Sequence, residues 1–467
     1  MKYNYKLARF LDDISDKRIG FLGIGVSHLG IVRMLARKNF NITVRDIRTL
    51  DKLDPNIVEE FTNIGVELIL GNEYLISIDE DIVFRTPGMN FNHPIFSELK
   101  SQGKVVTSEM EVFFDLCPCK IFGVTGSDGK TTTSTIISEI LKAAGYTVHL
   151  GGNIGCAMLS MIQSIDSDDI VVVELSSFQL ISMKRSPDVA VITNISPNHL
   201  DVHKTMEEYI DAKKNIFLYQ NSFNKVVLNL DDSFLKKFIE QPTGRIYTFS
   251  SKVLVQRGAF IDSENNICIN DEKDKKIIMN TSDIFVPGQH NVLNYLAAIT
   301  ATQEYVNDDV YKKVAKSFKG VEHRIEFVKD LNNVKWYNDS IATSPSRTIA
   351  ALKSFGRKVI LIAGGYNKNI PYEPLAPYLI KYVSCLILMG DTSQIIYDAL
   401  IKSVKYTEDI MDVYIVDNLV NATKKAYEIS KAGDIVLLSP ASSSLDFYEN
   451  FSQRGNHFKR IINNFNS

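Results

Sequence analysis

Apolar and polar positions fall into three successive blocks, each opening with a short apolar run and a glycine signal. In the first, Ile19-Gly20-Phe21-Leu22 is the kind of continuous apolar run that makes a buried strand. Gly23 and Gly25 then give a tight turn, Val26 to Lys38 carries helical periodicity, and Asn41 to Arg45 predicts a second strand ending at Asp46. That is a βαβ unit. The alternation continues through VELIL, DIVFRTPG and VVTSEME, with a turn at Thr86-Pro87-Gly88. The second block opens with KIFGVTGSDGKTTTSTIISEILKAAGY, which reads as strand, glycine loop and long helix. DIVVVELSSFQL and DVAVITNIS suit a parallel sheet covered on both faces. Thr205 opens a helix in TMEEYIDAKKNIFLY, with Glu208 in capping-box register. From about residue 244 to 286 the strands become short, GAFIDSENNICI predicts a hairpin, and DEKDKK a solvated turn. The third block begins near GVEHRIEFV, and its strands RKVILIAGG, SCLILMGD and DIVLLSP are separated by helical segments.

A chain of 467 residues fits two to four domains. Its 45% hydrophobic and 23% charged residues are ordinary for a globular protein and exclude bulk disorder. The net charge of −3 argues against a non-specific nucleic-acid binder. No apolar run is long enough to span a bilayer. The start, MKYNYKLARFLDDISD, lacks an apolar targeting core, so a cytoplasmic protein is expected. Five scattered cysteines make no disulfide framework. Cys117 and Cys119, close together in LCPCK, lack the second ligand pair of a metal site and read as reduced thiols.

The strongest chemical signal is Gly123-Val-Thr-Gly126-Ser127-Asp128-Gly129-Lys130-Thr131-Thr132, placed between a strand and a helix. Glycines let backbone N–H groups face phosphate oxygens, and a helix N-terminus adds a favourable dipole. Lys130 can neutralise phosphate charge and Thr131 can ligate Mg²⁺. The strict phosphate-loop pattern needs glycine at Val124, so this is a TGxxGKT variant. Glu174 ends the apolar run Ile170 to Val173, where a Mg²⁺ ligand belongs when a phosphate loop lies alongside; otherwise it is a solvated strand-end acid. His199 and Asp201, in NISPNHLDVH, fit a metal ligand or an ordinary loop, and His203 reads as structural. Spacing alone makes Lys213 and Lys214 plain helix-surface lysines.

TGSDGKTTT, GGNIG, ELSSFQL, NISPNHLDVH and YIDAK together resemble the Mur ligase family, amide ligases of peptidoglycan synthesis. EHR at 322–324, NDSIATS at 338–344, GGYNK at 364–368 and SPASSSLDFYENFSQRG at 439–455 extend the resemblance over nearly the whole chain. ELSSFQL is similar to the branch that adds D-glutamate. The resemblance implies an α/β chain of three domains: a Rossmann-like UDP-substrate domain over 1–104, a central P-loop ATPase-type domain with a mostly parallel sheet and a small extra β part over 105–319, and a Rossmann-like amino-acid domain over 320–467. It implies a monomeric enzyme whose small-molecule substrates are ATP, UDP-N-acetylmuramoyl-L-alanine and D-glutamate. An ATP γ-phosphate would activate a substrate carboxylate as an acyl phosphate, which an amine then attacks. Phosphoryl transfer of this kind needs positioning and charge neutralisation.

Carried over by residue, the resemblance gives ATP phosphates to Gly126, Ser127, Asp128, Gly129, Lys130, Thr131 and Thr132, and the transferring phosphate to Asn153. Thr131, Glu174, His199 and Lys213 would hold Mg²⁺, which Mn²⁺ can replace, with Lys213 carbamylated by CO₂. His290, Asn291 and Asn294 match the adenine-side segment; His323, Arg324 and Asp339 would complete the nucleotide site on domain closure, which excludes water. Ser27 would approach the pyrophosphate, with Asp46 and Arg48 on the uridine side; the plain alternative makes Asp46 an exposed strand-end acid. Thr86, Gly88, Ser176 and Gln179 fall on the nucleotide-sugar substrate, and Thr343, Lys368, Ser444, Leu445 and Phe451 on D-glutamate, the last two through packing and backbone. His28 stands where a dinucleotide fingerprint wants its third glycine, which disfavours an NAD site. One position departs from the family's NDSKATN: Ile341 replaces the lysine, so either another cation substitutes or the contact is dispensable. The competing readings are another Mur-type or folylpolyglutamate-type ligase, and a nucleotide-binding regulatory protein without ligase activity.

Overall fold

The structure, a computed structural model, describes residues 4–155, 157–197, 202–272, 274–403, 406–407 and 410–465. It divides into two compact units, residues 1–281 with 293–314, and residues 282–292 with 315–467.

In the first unit, β1 (Arg18–Leu22), β2 (Asn41–Asp46), β3 (Glu67–Leu70), β4 (Ile82–Arg85) and β5 (Val105–Thr107) form a parallel sheet in the order β3-β2-β1-β4-β5. Its strand β5 lies just past the boundary at 104 expected from sequence. The apolar run of β1 is buried from Ile19 to Leu22, as two-face coverage requires. His28 fills its own turn: the ring is buried and its Nδ1 lies 2.9 Å from the Gly23 carbonyl oxygen. Gly30 is needed for close approach, since a Cβ there would sit 2.4 Å from the Ser160 Cβ.

The second sheet holds β6 (Lys120–Thr125), β7 (Val148–Gly152), β8 (Ile170–Glu174), β9 (Val189–Ile192), β10 (Lys225–Asn229) and β11 (Arg245–Phe249), in the order β11-β10-β9-β6-β8-β7, all parallel. Because β6 pairs with β8 on one side and β9 on the other, its loop leaves the sheet between Glu174 and Thr193. Carboxyl ends of such strands are where open α/β sheets place ligands. The expected hairpin is present as β12 (Arg257–Ile261) and β13 (Asn266–Asp271), extended by β14 (Lys275–Asn280) into a small antiparallel sheet.

The second unit carries β15 (Glu326–Leu331), β16 (Val334–Asn338), β17 (Val359–Gly364), β18 (Val383–Met389), β19 (Asp412–Val416) and β20 (Ile435–Leu438), ordered β15-β16-β20-β17-β18-β19. Only the β15–β16 pairing in this sheet is antiparallel. Along β17, Val359, Leu361 and Ala363 enter one core and Ile360 and Ile362 another. A strand's two-residue period therefore feeds a core on each face of the sheet.

Candidate active site

The loop after β6 needs its glycines. Gly126 has φ 152°, and a Cβ there would fall 1.9 Å from Thr193 Oγ1; Gly129 has φ 77°, and a Cβ would meet Asn294 Oδ1 at 2.5 Å. Side chains from the segment after β9 pin the loop. Asp128 N donates to Asn194 Oδ1 (2.9 Å), Thr193 Oγ1 donates to the Asp128 carbonyl (2.6 Å), and Ser127 Oγ donates to the Ser196 carbonyl (2.9 Å). Gly129 is the N-cap of helix Lys130–Ala143 and supplies no side-chain cap, which leaves the first backbone donors directed outward. Lys130 Nζ donates to the carbonyls of Gly126 (2.9 Å) and Ser127 (2.8 Å). Thr132, in the first turn, is buried.

Glu174 stands at the mouth of this loop. Its carboxylate accepts from Thr131 Oγ1 (2.7 Å) and from Asn153 Nδ2 (2.8 Å), while Asn153 N donates to the Glu174 carbonyl (2.8 Å). Lys213 reaches in from helix Met206–Leu218 and is 1% exposed. Its Nζ donates to the Gly126 carbonyl (2.8 Å) and Thr125 Oγ1 (3.3 Å), 4.7 Å from the Tyr209 ring centre. Burial, aided by the Lys130 charge and opposed by Glu174 and Asp128, lowers the Lys213 amine to about 7. Lys214 instead pairs with Asp211 (3.0 Å) at the helix surface. The plain surface reading thus fits Lys214 and fails for Lys213. The hydroxyl of Thr131 and the carboxylate of Glu174 are oxygen donors of the kind Mg²⁺ takes. No group of three or more His, Cys, Asp or Glu side chains suited to a metal occurs among the described residues. His199 and Asp201 lie outside the described residues. His203 is buried, with Nε2 2.9 Å from Ser177 Oγ and its ring stacked on Phe178.

Ser176 and Gln179 form a capping box: Gln179 N donates to Ser176 Oγ (3.3 Å), and Ser176 N donates back to Gln179 Oε1 (2.9 Å). Asp46 is 4% exposed, so the plain alternative of a solvated strand-end acid fails. Its carboxylate accepts from Ile24 N (2.7 Å), Arg48 N (2.9 Å) and Arg48 Nη2 (2.8 Å). Burial pushes that carboxyl up, but the Arg48 and backbone bonds outweigh it and bring it down to about 2. Ser27 is half-buried in the first turn of helix Val26–Ala36. Thr86 packs against Gly23, and Gly88 lines a cavity of about 300 Å³ with Arg85, Phe91, Phe178 and His203. Arg85 was not anticipated from sequence. It is buried, Nη2 donates to the Phe178 carbonyl (3.2 Å), and Nη1 has no hydrogen-bond partner among the described residues. The available signal was a cation ending the apolar strand IVFR, just before Thr-Pro-Gly.

In the second unit, His323 (φ 63°) and Ile325 (φ 45°) hold left-handed backbone, a strain that clusters at functional sites. His323 Nδ1 lies 2.9 Å from Asn338 Nδ2, and its ring meets Phe451 edge-on. Asp339 accepts from Ser439 Oγ (2.7 Å) and Ile325 N (3.3 Å), and burial pushes its carboxyl up to about 7. Arg347 is a second residue that sequence reasoning missed. Its Nη1 donates to the Ile341 carbonyl (2.9 Å), and the charges of Arg324 and Asp339 both act on it. Thr343 N donates to the Ile341 carbonyl (2.8 Å), Lys368 is exposed, Ser444 is buried, and Leu445 is 53% exposed. Arg454 is buried under this loop and donates to the Ser340, Ser442 and Ser443 carbonyls. Asn291 Nδ2 donates to the Pro287 carbonyl (2.6 Å) beside His290, whereas Asn294 belongs to the first unit and accepts from Thr133 Oγ1 (3.2 Å).

Residues 124–302 match the Mur ligase middle domain, and residues 323–442 match the Mur ligase, glutamate ligase domain. The chain is 48% identical to a UDP-N-acetylmuramoylalanine–D-glutamate ligase of Acetivibrio thermocellus, over 98% of this chain and 99% of that protein. A Clostridium botulinum protein of the same name is 46% identical, over 99% of this chain and all of its own length. Among solved structures, UDP-N-acetylmuramate-alanine ligase from Thermotoga maritima shares the fold, with a TM-score of 0.58 at 19% identity, covering 96% of this chain and 99% of that one.

Proposed function

The chain belongs to the Mur ligase family, and we propose that it joins D-glutamate to the L-alanine carboxyl of UDP-N-acetylmuramoyl-L-alanine at the expense of ATP. The observation that carries this reading is the convergence of Lys130, Thr131, Asn153, Glu174 and Lys213 at the carboxyl end of one sheet. A cationic, donor-rich loop beside a carboxylate suits a γ-phosphate moving onto a carboxylate oxygen. The acyl phosphate gives the carbonyl carbon a good leaving group. The D-glutamate amine then attacks, and phosphate departs from the tetrahedral intermediate.

Lys130 would leave its loop carbonyls for the phosphate oxygens, so the charge that forms there is met without solvent reorganisation. Mg²⁺ bound through Thr131 and Glu174 would neutralise phosphate charge and fix the phosphate's orientation. Lys213 has a partly neutral amine near pH 7. Such an amine adds to CO₂, losing a proton to water, and the carbamate anion would sit beside the Lys130 ammonium. Gly88, Thr86, Ser27, Asp46 and Arg48 are assigned to the nucleotide-sugar, and Lys368, Thr343 and Ser444 to D-glutamate. Arg347, bonded to the backbone of Ile341, is the cation that stands in for the family lysine missing there. The identity to D-glutamate ligases over nearly the whole chain favours a ligase over a regulatory protein that only binds nucleotide. No helix among the described residues is long and apolar enough to cross a membrane; a cytoplasmic monomer fits the soluble substrates. The test is ADP release with each substrate omitted in turn. Steady turnover is expected only with all three, and undiminished turnover without D-glutamate would sink the proposal.

A further inference from the structure

The segment Cys117-Pro118-Cys119 joins helix Glu109–Leu116 to β6, and so links the first sheet to the strand that carries the phosphate loop. The Cys117 N–H still closes the helix on the Phe113 carbonyl (2.8 Å). Proline fixes the next backbone angle, and Cys119 directly precedes β6. Within this tripeptide the two Sγ atoms face each other at 3.7 Å. Cys117 Sγ also lies 3.6 Å from the Cys119 carbonyl oxygen, within reach of a donated bond. A disulfide requires about 2.05 Å between the sulfurs, so closure must bring together two sulfurs that already lie in contact.

The surroundings favour a reactive pair. Lys6 Nζ donates to the Cys117 carbonyl (3.0 Å) and brings a positive charge to the segment, while Asp169 and Asp188 contribute negative charge. The bond between the sulfurs, helped by Lys6 and opposed by burial and Asp188, lowers the Cys117 thiol below the ordinary range. One proton is therefore lost from the pair more easily than the second. Cys117 is buried, whereas Cys119 is half-buried and gives solvent access to the pair. Cys268 and Cys385 provide internal controls: both are buried, and burial raises them to about 11 and about 12.

We propose that Cys117 and Cys119 are a redox-active dithiol that closes to a disulfide by exchange with small-molecule disulfides. Within the singly ionised pair the shared proton moves from Cys119 to Cys117, and the accessible Cys119 sulfur, then a thiolate, attacks one sulfur of the external disulfide. That S–S bond breaks and one thiolate leaves. The Cys117 thiolate then attacks Cys119 Sγ and expels the second thiolate. The protein loses two protons and two electrons, and the external disulfide becomes two thiols. The ring spans three residues, so it removes little chain entropy from the unfolded state and stabilises the fold little. A bond with so little holding it together belongs with the labile, reversible disulfides rather than the structural ones.

The whole protein is incubated with excess oxidised glutathione at neutral pH, quenched in acid, alkylated and digested for mass spectrometry. The peptide holding both cysteines is expected lighter by two hydrogens, without alkyl groups or glutathione, and restored by dithiothreitol. Cys268 and Cys385 are expected fully alkylated. C117S, lacking the resolving thiol, should retain glutathione on Cys119, and C119S should show neither the closed form nor rapid adduct formation. Wild-type protein whose peptide carries two alkyl groups, or a lasting glutathione adduct, overturns the proposal. That reading needs no variant to fold, and it stands whatever substrate the enzyme uses.

Discussion

Two buried lysines, one on a helix against the second sheet and one in a strand of it, have the same displaced acidity and opposite surroundings. Lys213 and Lys225 are each 1% exposed, and burial brings each amine down to about 7. Lys225 starts β10, at the amino end of the strands. Its Nζ lies 3.9 Å from the Tyr247 ring centre and 3.5 Å from the Ala301 carbonyl. The nearby Glu304 is already bonded to Tyr247 Oη (2.6 Å) and Arg245 (2.8 Å). Lys213 lies at the carboxyl end, against the Gly126 carbonyl and among Lys130, Glu174 and Asp128. A perturbed amine therefore marks a site only where groups able to handle a ligand converge on it. The first lysine is boxed in by an aromatic ring and satisfied partners; the second shares its space with a phosphate loop.

The largest effect that sharpens this contrast is at the loop itself. Lys130→Ala is expected to lower kcat by about 10³-fold or more, the scale of removing a cation from a phosphoryl-transfer site. A variant with near-normal turnover would deny Lys130 its phosphate role. Next comes the pair. Lys213→Ala is expected to cost about 10²-fold in kcat, as for loss of one preorganised electrostatic group. Added formate or acetate should restore part of the rate by supplying the missing carboxylate. Lys225→Met, measured in the same ADP-release assay, should remain within about 3-fold of wild type, since nothing it touches faces the loop. Equal losses in the two variants would erase the distinction.

The sequence made one half of this comparison visible and concealed the other. The phosphate loop was legible because its chemistry is backbone chemistry, and glycine spacing between a strand and a helix reports it directly. The alternation of apolar runs likewise revealed the parallel sheets and the hairpin at β12 and β13. Lys213 and Lys214 were indistinguishable, because which of two adjacent helix residues turns inward depends on how the helix packs. The family resemblance, not spacing, separated them. For Asp46 the plain alternative of an exposed strand-end acid fails because the Arg48 fork two residues on and the Ile24 N–H from the turn after β1 both close on its carboxylate. Arg347 and Lys225 carried no pattern at all, and Arg85 only that of a cation closing an apolar strand. Each owes its importance to tertiary neighbours, which local periodicity does not encode.

A smaller effect separates the two amines by their reactivity. Stripping CO₂ from the buffer should lower wild-type turnover several-fold, and bicarbonate should restore it. Lys213→Ala should ignore both treatments. Lys225→Met should follow wild type, because an amine packed under Tyr247 has no room for an added carboxylate. A CO₂ response that survives in Lys213→Ala would move the modification elsewhere.

The smallest effect tests whether the amines differ in anything besides place. Both have a folded-state acidity near 7 against 10.5 for the exposed amine. Between those values the unfolded chain binds more protons than the folded one, so stability rises with pH there and the gain is lost as pH falls through about 7. Each lysine contributes at most about 1.4 kcal/mol per pH unit over that window. Urea unfolding of wild type at pH 7 and pH 9, in CO₂-free buffer, should show the rise, and either single substitution should remove a similar share of it. With bicarbonate present the symmetry should fail in size rather than in slope: a carbamate formed on Lys213 only in the folded chain raises the stability of wild type and Lys225→Met at a given pH by mass action and leaves Lys213→Ala unchanged. Stabilities that do not respond to bicarbonate would mean that Lys213 keeps its free amine, and that the two lysines are distinguished by their neighbours alone.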